Sequence, residues 1–282
     1  MPPALRPADK NDYKNLFSLI NSLAHLHRHL DWRDPLEWME RKPFWVLEEN
    51  NQIIATLACA PEPEEVAWVR LFAATMHSSP DYAWRKLIEP VLDDLRALPY
   101  HPALVSLAMH DWYEEMLLRN GFIHHQDIVV FLYDDAPPPA PALDSAYYIR
   151  TLAPGELEAV AVIDHMAFEP IWRLSLDDLR HAVTKSAYCT VVECAGQIVA
   201  YQMSSRSSVY AHLARLAVRP DLQGQRLGFA LVQDLLTHFI GQHGQWGVTL
   251  NTQNNKQSSL NLYHKIGFRE TGERFPVFLY PY

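Results

Sequence analysis

The sequence LAVRPDLQGQRLGFALV, residues 216–232, joins a short apolar run to a loop with two glycines and then to a second apolar pattern. Leu227, Leu231 and Leu235 recur at helical spacing, so we predict a strand, a loop and a helix. The first N–H groups of a helix have no intrahelical partner, and the helix dipole adds partial positive charge there. Glycines let a backbone approach a ligand closely. The arrangement therefore predicts a phosphate-binding loop.

Spacing argues against two common phosphate loops. A nucleoside-triphosphate loop needs a Lys-Ser/Thr pair after its last glycine, but Phe229 and Ala230 follow Gly228. The dinucleotide fingerprint needs three glycines and an acidic residue about 20 positions further on, where this chain has Gln245 and Trp246. Neither assignment fits.

The loop resembles the acyl-CoA loop of the GNAT superfamily of N-acyltransferases. The matching residues are Val218, Arg219, Pro220, Gln223, Gly224, Leu227 and Gly228. Arg226 stands where the family usually has a glycine. Because a left-handed backbone is costly for arginine, we predict a right-handed backbone there, with the guanidinium free to bind a CoA phosphate. Taken alone, the loop fits an ordinary strand-to-helix turn about equally well.

A second motif supports the resemblance. The segment NNKQSSLNLYHKIGF, Asn254–Phe268, is similar to the closing helix of the family. The matching residues are Ser259, Leu262, Tyr263, Lys265, Gly267 and Phe268. The asparagine falls one position early, at Asn255, and Gly267 is predicted to end the helix in a left-handed conformation. The resemblance covers roughly residues 147–282.

Composition excludes several classes of protein. The chain has 282 residues, enough for two domains, and its formal charge of −9 argues against nucleic acid as a partner. No apolar run approaches a membrane span, and the segment MPPALRPADK lacks the apolar core of a signal peptide. We therefore expect a cytoplasmic protein with neither a membrane nor a nucleic-acid partner.

No metal site is expected. Cys59, Cys189 and Cys194 lack metal-type spacing and form no paired framework, so we expect reduced thiols. His25, His27 and His29 are two residues apart. On a helix this spacing turns the middle residue away from its neighbours, so we predict a polar helix end.

The two halves of the chain repeat one pattern on either side of a proline-rich segment. Arg70–Ala73 resembles Arg215–Val218 with a shift of 215 − 70 = 145, and Arg119–Phe122 resembles Lys265–Phe268 with a shift of 268 − 122 = 146. Each half also has a predicted hairpin, with turns at Asn50-Asn51 and Ala195-Gly196. We predict an α/β fold of two tandem GNAT-like domains, each a mixed, mostly antiparallel twisted sheet flanked by helices. The predicted divisions are residues 1–135, a linker at 136–146, and a catalytic domain at 147–282.

The first half lacks the loop chemistry. Under the same shift its loop becomes Ser78–Ala83, which has no glycine, and Pro80 removes a backbone donor. Asp81 adds negative charge where pyrophosphate would lie, and Leu117 takes the place of Tyr263. We expect no acyl-CoA there; a shallow site with other donors is the alternative.

The resemblance implies acetyl-CoA as co-substrate, bound where two parallel strands separate. The implied cofactor-binding residues are Leu216, Ala217, Val218, Gln223, Gly224, Gln225, Arg226, Leu227, Gly228, Phe229 and Asn255. The Val218 N–H would donate to the thioester oxygen as it gains negative charge. The loop from Gln223 to Phe229 would bind the pyrophosphate.

The resemblance also implies catalytic roles. Tyr263 matches the family's general acid, although a packing aromatic is the alternative. His212 stands where some members carry a glutamate base, although a structural histidine is common on a strand. Strand alternation would place His212 on the same face as Leu216 and Val218.

The acceptor region is expected at Phe168–Arg173, where aromatic and charged residues lie together; plain core packing is equally compatible. We predict transfer of an acetyl group to a primary amine of a small molecule or peptide, without metal. The alternative is a non-catalytic module that binds acyl-CoA or a protein. Pro276–Tyr280 offers either a rim to the acceptor region or a strand edge to a homodimer partner.

Overall fold

A computed structural model describes residues 3–22 and 24–282 of the chain. The chain divides into two compact units. Unit 1 comprises the chain up to Gln126 together with Phe275–Tyr282, and unit 2 comprises Asp127–Arg274.

Unit 1 builds two sheets. Its elements are β1 (Ala4–Pro7), α1 (Tyr13–Ile20), β2 (Ala24–Arg28), β3 (Phe44–Glu49), β4 (Gln52–Ala58), β5 (Val66–Trp68), β6 (Leu71–Thr75), α2 (Pro80–Arg96), β7 (Ala103–Leu107), α3 (Asp111–Arg119) and the first residues of β8 (Ile123–Tyr133). One sheet has the strand order β1-β3-β4-β6-β2. In the other, β5 pairs in parallel with β7, and β7 pairs antiparallel with the chain's last strand. Apolar residues of α1 and α2 cover the sheets.

Unit 2 contains the rest of β8 and one mixed sheet. Its further elements are β9 (Tyr147–Thr151), α4 (Leu157–Ala167), α5 (Leu176–Lys185), β10 (Tyr188–Cys194), β11 (Gln197–Arg206), β12 (Tyr210–Val218), α6 (Leu227–Leu236), β13 (Gly247–Gln253), α7 (Gln257–Ile266) and the first half of β14 (Arg269–Tyr280). The strands pair in the order β9-β10-β11-β12-β13-β8. Only the β12–β13 pair among these is parallel, which confirms the predicted mixed, mostly antiparallel sheet.

The predicted hairpins are confirmed in both units. Asn50 and Asn51 have φ of 50° and 63°, and Ala195 and Gly196 have φ of 49° and 77°. Positive φ at both central residues is the conformation of the tight turn that matches the twist of two antiparallel strands.

The division of the chain differs from the predicted one. β8 passes from unit 1 into unit 2, and the end of β14 pairs with β7 of unit 1. Both boundaries between the units therefore fall inside a strand, β8 or β14, and residues 136–146 belong to unit 2. Sequence composition could not locate these boundaries, because nothing interrupts the two strands where they lie.

The histidines of residues 25–29 lie on and beside strand β2, so the predicted helix end was wrong. Residues two apart share one face of a strand, and the three imidazoles face a row of aromatic rings. His27 stacks on Tyr113 with ring centroids 4.1 Å apart, and His29 stacks on Trp68 at 4.6 Å. Burial lowers the pKa of His27 to about 3 and that of His29 well below its ordinary value.

Within residues 3–22 and 24–282, no group of three or more His, Cys, Asp or Glu side chains is arranged to hold a metal ion. Cys59, Cys189 and Cys194 are free thiols. No helix of the described chain combines the length and apolarity needed to cross a bilayer.

Candidate functional site

Strands β12 and β13 separate at the middle of the unit 2 sheet. They pair in parallel only from Tyr210–Gly247 to Leu213–Leu250. On the other side of β12, the Arg219 N–H donates to the Val199 carbonyl at 2.9 Å, and Val218 is the next residue in register, opposite Ala200. In an antiparallel ladder bonded pairs alternate with unbonded pairs, so the Val218 N–H points away from β11, into the gap.

A bulge in β12 decides which side chains share a face. Met203 pairs with Arg215 and Ser204 with Leu213, so Ala214 is an extra residue. Before the bulge, Ala211 and Leu213 pack in a core with α6; after it, Leu216 and Val218 also pack against α6. The side chain at 212 therefore points to the opposite face. The expectation that His212 shares a face with Leu216 and Val218 was wrong, because the extra residue shifts the two-residue period.

A cavity of about 810 Å³ lies where the strands separate. Such a volume suits a ligand of cofactor size. Of the predicted cofactor-binding residues, it is lined by Leu216, Ala217, Val218, Gln223, Gly224, Arg226, Leu227, Gly228 and Phe229. Further lining residues are Pro139, Ala140, Pro141, Ala167, Phe168, Leu222, Gln253, Lys256, Ser258, Ser259, Asn261, Leu262 and Lys265.

Two predicted cofactor residues lie off the cavity wall. The Gln225 side chain points to Tyr147, whose hydroxyl donates to its Oε1 at 3.2 Å. Asn255 is exposed in the turn before α7. Lys256, next to it, takes a place on the wall that the sequence motif did not predict.

The charges on the cavity wall are positive. Arg226, Lys256 and Lys265 line it, and no Asp or Glu is among its described lining residues. Lys256 also pairs with Glu169 at 2.6 Å. In a chain of formal charge −9, this concentration of cations favours an anionic ligand.

The loop before α6 contains a left-handed arginine. Arg226 has φ of 65° and ψ of 9°, directly before the first residue of α6. The predicted right-handed backbone was wrong: Arg226 keeps the backbone that a glycine would adopt at little cost. A left-handed backbone is strained for a residue other than glycine, and such strain is often found at ligand-binding sites.

Gly228 allows close packing at the start of α6. A Cβ on Gly228 would lie 3.2 Å from Leu262 Cδ2 and 3.6 Å from Val218 Cγ2. This approach brings α6, α7 and the end of β12 together around the cavity. Gly267 ends α7 with φ of 111°, which confirms the predicted left-handed termination.

Tyr263 lies on α7 with its ring packed into the core of unit 2. Its ring centroid is 6.0 Å from that of Phe131 and 5.8 Å from that of Phe268. Burial raises the pKa of its phenol well above the ordinary value. Tyr263 is not among the residues that line the cavity, although its neighbour Leu262 is.

His212 is held by the next strand. Its Nδ1 lies 2.9 Å from Thr249 Oγ1, and the Thr249 hydroxyl donates to the Ala211 carbonyl at 3.3 Å. When the Thr249 hydroxyl donates to the carbonyl, it accepts from His212 Nδ1–H, and in that tautomer the Nε2 lone pair can take a proton. Burial lowers the pKa of His212, so the imidazole is neutral at pH 7.

A buried charged network fixes the loop at residues 168–173. Asp164 on α4 accepts from Arg215 Nε at 2.8 Å and from the hydroxyl of Tyr201. Arg215 also donates to the Trp172 carbonyl at 2.6 Å, and its guanidinium lies 3.5 Å from the centre of the Phe168 ring. Phe168 lines the cavity, so the predicted acceptor loop and the cavity meet at this residue. The sequence analysis did not predict this network, although the recurrence of arginine at the matching positions 70 and 215 could have indicated it.

The matching gap in unit 1 is occupied by strand β2. Leu71–Ala73 correspond to Leu216–Val218 (216 − 145 = 71), and they pair with Arg28, His27 and Leu26. β5 pairs with β7 just before this point, as β12 pairs with β13 in unit 2. The His27 Nε2 further bonds the Val69 carbonyl at 3.1 Å. The edge that is open in unit 2 is therefore closed by the chain itself in unit 1.

Comparison with known proteins agrees with this geometry. Residues 166–277 match the family model of the acetyltransferase (GNAT) domain. No curated protein matches the chain significantly.

Solved structures share the fold over nearly the whole chain. A tandem GNAT protein from the clavulanic acid biosynthesis pathway is 14% identical, with a TM-score of 0.66 and coverage of 98% of each chain. A GCN5-related N-acetyltransferase from Sphaerobacter thermophilus is 15% identical, with a TM-score of 0.62, over 98% of this chain and 95% of the other. One from Anabaena variabilis is 12% identical, with a TM-score of 0.67, over 98% and 72%.

Proposed function

We propose that this chain, in which residues 166–277 form a GNAT-family acetyltransferase domain, moves an acetyl group from acetyl-CoA to a primary amine by direct attack. The observation that carries the proposal is the cavity at the separation of β12 and β13. It combines an inward-facing Val218 N–H, the N-terminus of α6 and a wall whose described residues include three cations and no carboxylate.

Each part of the cavity suits one part of acetyl-CoA. The helix N-terminus at Leu227 and the loop before it present N–H groups for the pyrophosphate. Arg226, Lys256 and Lys265 supply positive charge for the phosphates. The open edge of β12 from Leu216 to Val218 offers backbone groups to the amides of the pantetheine arm.

The reaction needs three chemical contributions. The neutral amine attacks the thioester carbonyl, and its oxygen becomes an oxyanion that accepts from the Val218 N–H. His212 Nε2 takes the proton that the attacking amine loses. When the C–S bond breaks, Tyr263 donates a proton to the leaving thiolate, so the products are an amide and CoA.

The pKa shifts set the protonation state of both side chains. A lowered pKa keeps His212 neutral, which a base requires at pH 7. A raised pKa keeps Tyr263 protonated but also makes its phenol a weaker proton donor, so the acid role depends on the position of the hydroxyl. For this role the Tyr263 hydroxyl must reach the cavity from α7, the helix that places Leu262 on the cavity wall.

We assign the acceptor amine to the α4 side of β12. The loop at residues 168–173 is fixed there by Arg215 and Asp164, and His212 faces the same side of the strand. The rigid attachment of Phe168 over the guanidinium would hold one wall of the acceptor site in place.

Release of free thiol from acetyl-CoA tests the proposal. With a panel of primary amines and amine-bearing peptides, at least one should give thiol and an acetylated product of matching mass. Tight binding of acetyl-CoA with no turnover on the whole panel would instead identify a non-catalytic acyl-CoA-binding module.

Replacement of Tyr263 tests the acid. Tyr263→Phe removes one oxygen and should lower kcat by about 100-fold or more while the KM for acetyl-CoA stays nearly constant. Tyr188→Phe is the matched control, because it removes the same oxygen from a tyrosine of unit 2 that bonds Asp234 and lies off the cavity. Equal kcat values for Tyr263→Phe and wild type would remove Tyr263 from the mechanism.

A further inference from the structure

The proline-rich segment at residues 136–146 forms part of the cavity wall. Pro139, Ala140 and Pro141 line the same cavity as the loop before α6. The sequence predicted only a linker here. A segment that merely joins two domains has no reason to lie against a ligand cavity.

Several contacts fasten this segment along α6. The Tyr133 hydroxyl donates to the Ala136 carbonyl at 2.5 Å, and Gln233 Nε2 donates to the Pro138 carbonyl at 3.1 Å. Further along, Leu143 packs into the cluster that contains Leu227 and Leu231. The segment therefore runs from the C-terminal half of α6 toward the start of that helix.

The end of the segment also contacts the loop itself. The Tyr147 hydroxyl donates to Gln225 Oε1 at 3.2 Å. Pro139, Ala140 and Pro141 are thus fixed between two anchored stretches, beside the loop that we assign to the pyrophosphate.

The position and chemistry of Pro139, Ala140 and Pro141 indicate which part of acetyl-CoA they would contact. Pro139 and Ala140 are exposed at the rim, whereas Leu227 is buried at the base of the loop. With the pyrophosphate assigned to the loop before α6, the part of acetyl-CoA that would extend outward toward this exposed rim is the adenosine end. Proline has no N–H and a fixed φ, so its rings present a rigid apolar surface that suits a flat heteroaromatic base.

We propose that Pro139–Pro141 form the wall of the site that covers the adenosine of CoA. This proposal rests on the proposed function, because it takes the cavity to be the acetyl-CoA site. The segment between the two repeated halves is then part of the donor site of unit 2.

Calorimetric titration with two ligands tests the proposal. The probes are CoA and 4′-phosphopantetheine, which lacks the adenosine. Replacing both Pro139 and Pro141 with alanine should raise the Kd for CoA about 5- to 10-fold, the effect of losing roughly 50 Å² of apolar contact. The Kd for 4′-phosphopantetheine should stay within about two-fold of wild type.

Ala142→Gly is the matched control. Ala142 is exposed in the same segment and does not line the cavity, so this change loosens the backbone without removing a ring. It should leave both Kd values unchanged. An Ala142→Gly effect as large as that of the double variant overturns the proposal, as does an equal effect of the double variant on both ligands or no effect on CoA. Failure of the wild-type chain to bind CoA at all overturns the proposed function and this inference with it.

Discussion

Arg226 lowers the stability of the fold through its backbone conformation and adds a positive charge to the cavity wall. Its backbone is left-handed, a conformation that costs an L-residue about 1–2 kcal/mol, yet its side chain lines the cavity. A glycine would remove the strain but would also remove a cation from the wall. The two effects should be separable by experiment.

Arg226→Gly should raise the free energy of unfolding by about 1 kcal/mol and raise the KM for acetyl-CoA about 5- to 10-fold. Thermal unfolding and steady-state kinetics measure the two effects. Ala195→Gly is the control, because Ala195 is also left-handed but lies in a hairpin turn off the cavity. It should raise stability with no change in KM, and a KM unchanged in Arg226→Gly would contradict the role of the guanidinium.

His212 makes a residue-scale prediction about pH. Burial lowers its pKa, so the neutral base should persist below the ordinary value of about 6.5. The rate should therefore fall only on acidification below that pH, as His212 gains a proton. His212→Gln should lower kcat and remove this acidic limb, whereas His264→Gln on the exposed part of α7 should leave the limb in place. An identical acidic limb in wild type and His212→Gln would assign the titration to another group.

Strand β2 is the element that distinguishes the two units. It pairs with β6 over the residues that correspond to the open edge of β12. Its buried histidine stacks on α3, the helix that corresponds to α7. The gap between β12 and β13 is thus a cavity in unit 2, whereas the corresponding position in unit 1 is filled by β2.

The burial of His27 makes stability depend on pH. Its pKa is about 3 in the folded chain and about 6.5 when unfolded, so the unfolded chain binds more protons between these values. The free energy of unfolding should be unaffected above about pH 7 and should fall at lower pH, by up to about 1.4 kcal/mol per pH unit for this proton.

Denaturant titrations between pH 4 and pH 8 measure this dependence. In His27→Gln the slope in the acidic range should decrease by one proton, while substitution of the exposed His125 should leave it unchanged. The same slope in His27→Gln and wild type would mean that His27 is not the group that titrates.

At the scale of the whole molecule, the two units repeat one pattern but differ at the position of the cavity. The loop of unit 1 has Ser79 and Ala83 where unit 2 has its glycines, with Pro80 and Asp81 between them, and β2 closes the corresponding strand edge. Each change alone would weaken phosphate or pantetheine binding. Together they lead us to expect one acetyl-CoA site per chain.

Calorimetric titration of the full chain with acetyl-CoA should give a stoichiometry near one. Gly228→Val should remove that binding, because even its Cβ would lie 3.2 Å from Leu262 Cδ2 and the branched side chain would project into the cavity wall. A stoichiometry of two, or residual binding of one equivalent in Gly228→Val, would place a second site outside the unit 2 cavity.

Local sequence was sufficient for several features. The glycine loop, the start of α6 at Leu227, the left-handed Gly267 and both hairpin turns follow from short-range chemistry, since each depends on residues within a few positions. The resemblance of the second half to the GNAT domain and the tandem fold followed from two motifs and their repetition.

Tertiary structure decided the remaining features, because they depend on contacts between residues far apart in the chain. The bulge at Ala214 puts His212 on the face of β12 opposite to Leu216 and Val218. Pairing with β6 holds the histidine segment as a strand. Strain at Arg226 persists because the loop and α6 are fixed by their packing. Contacts along α6 brought the proline-rich segment to the cavity, and no local pattern of prolines could show that.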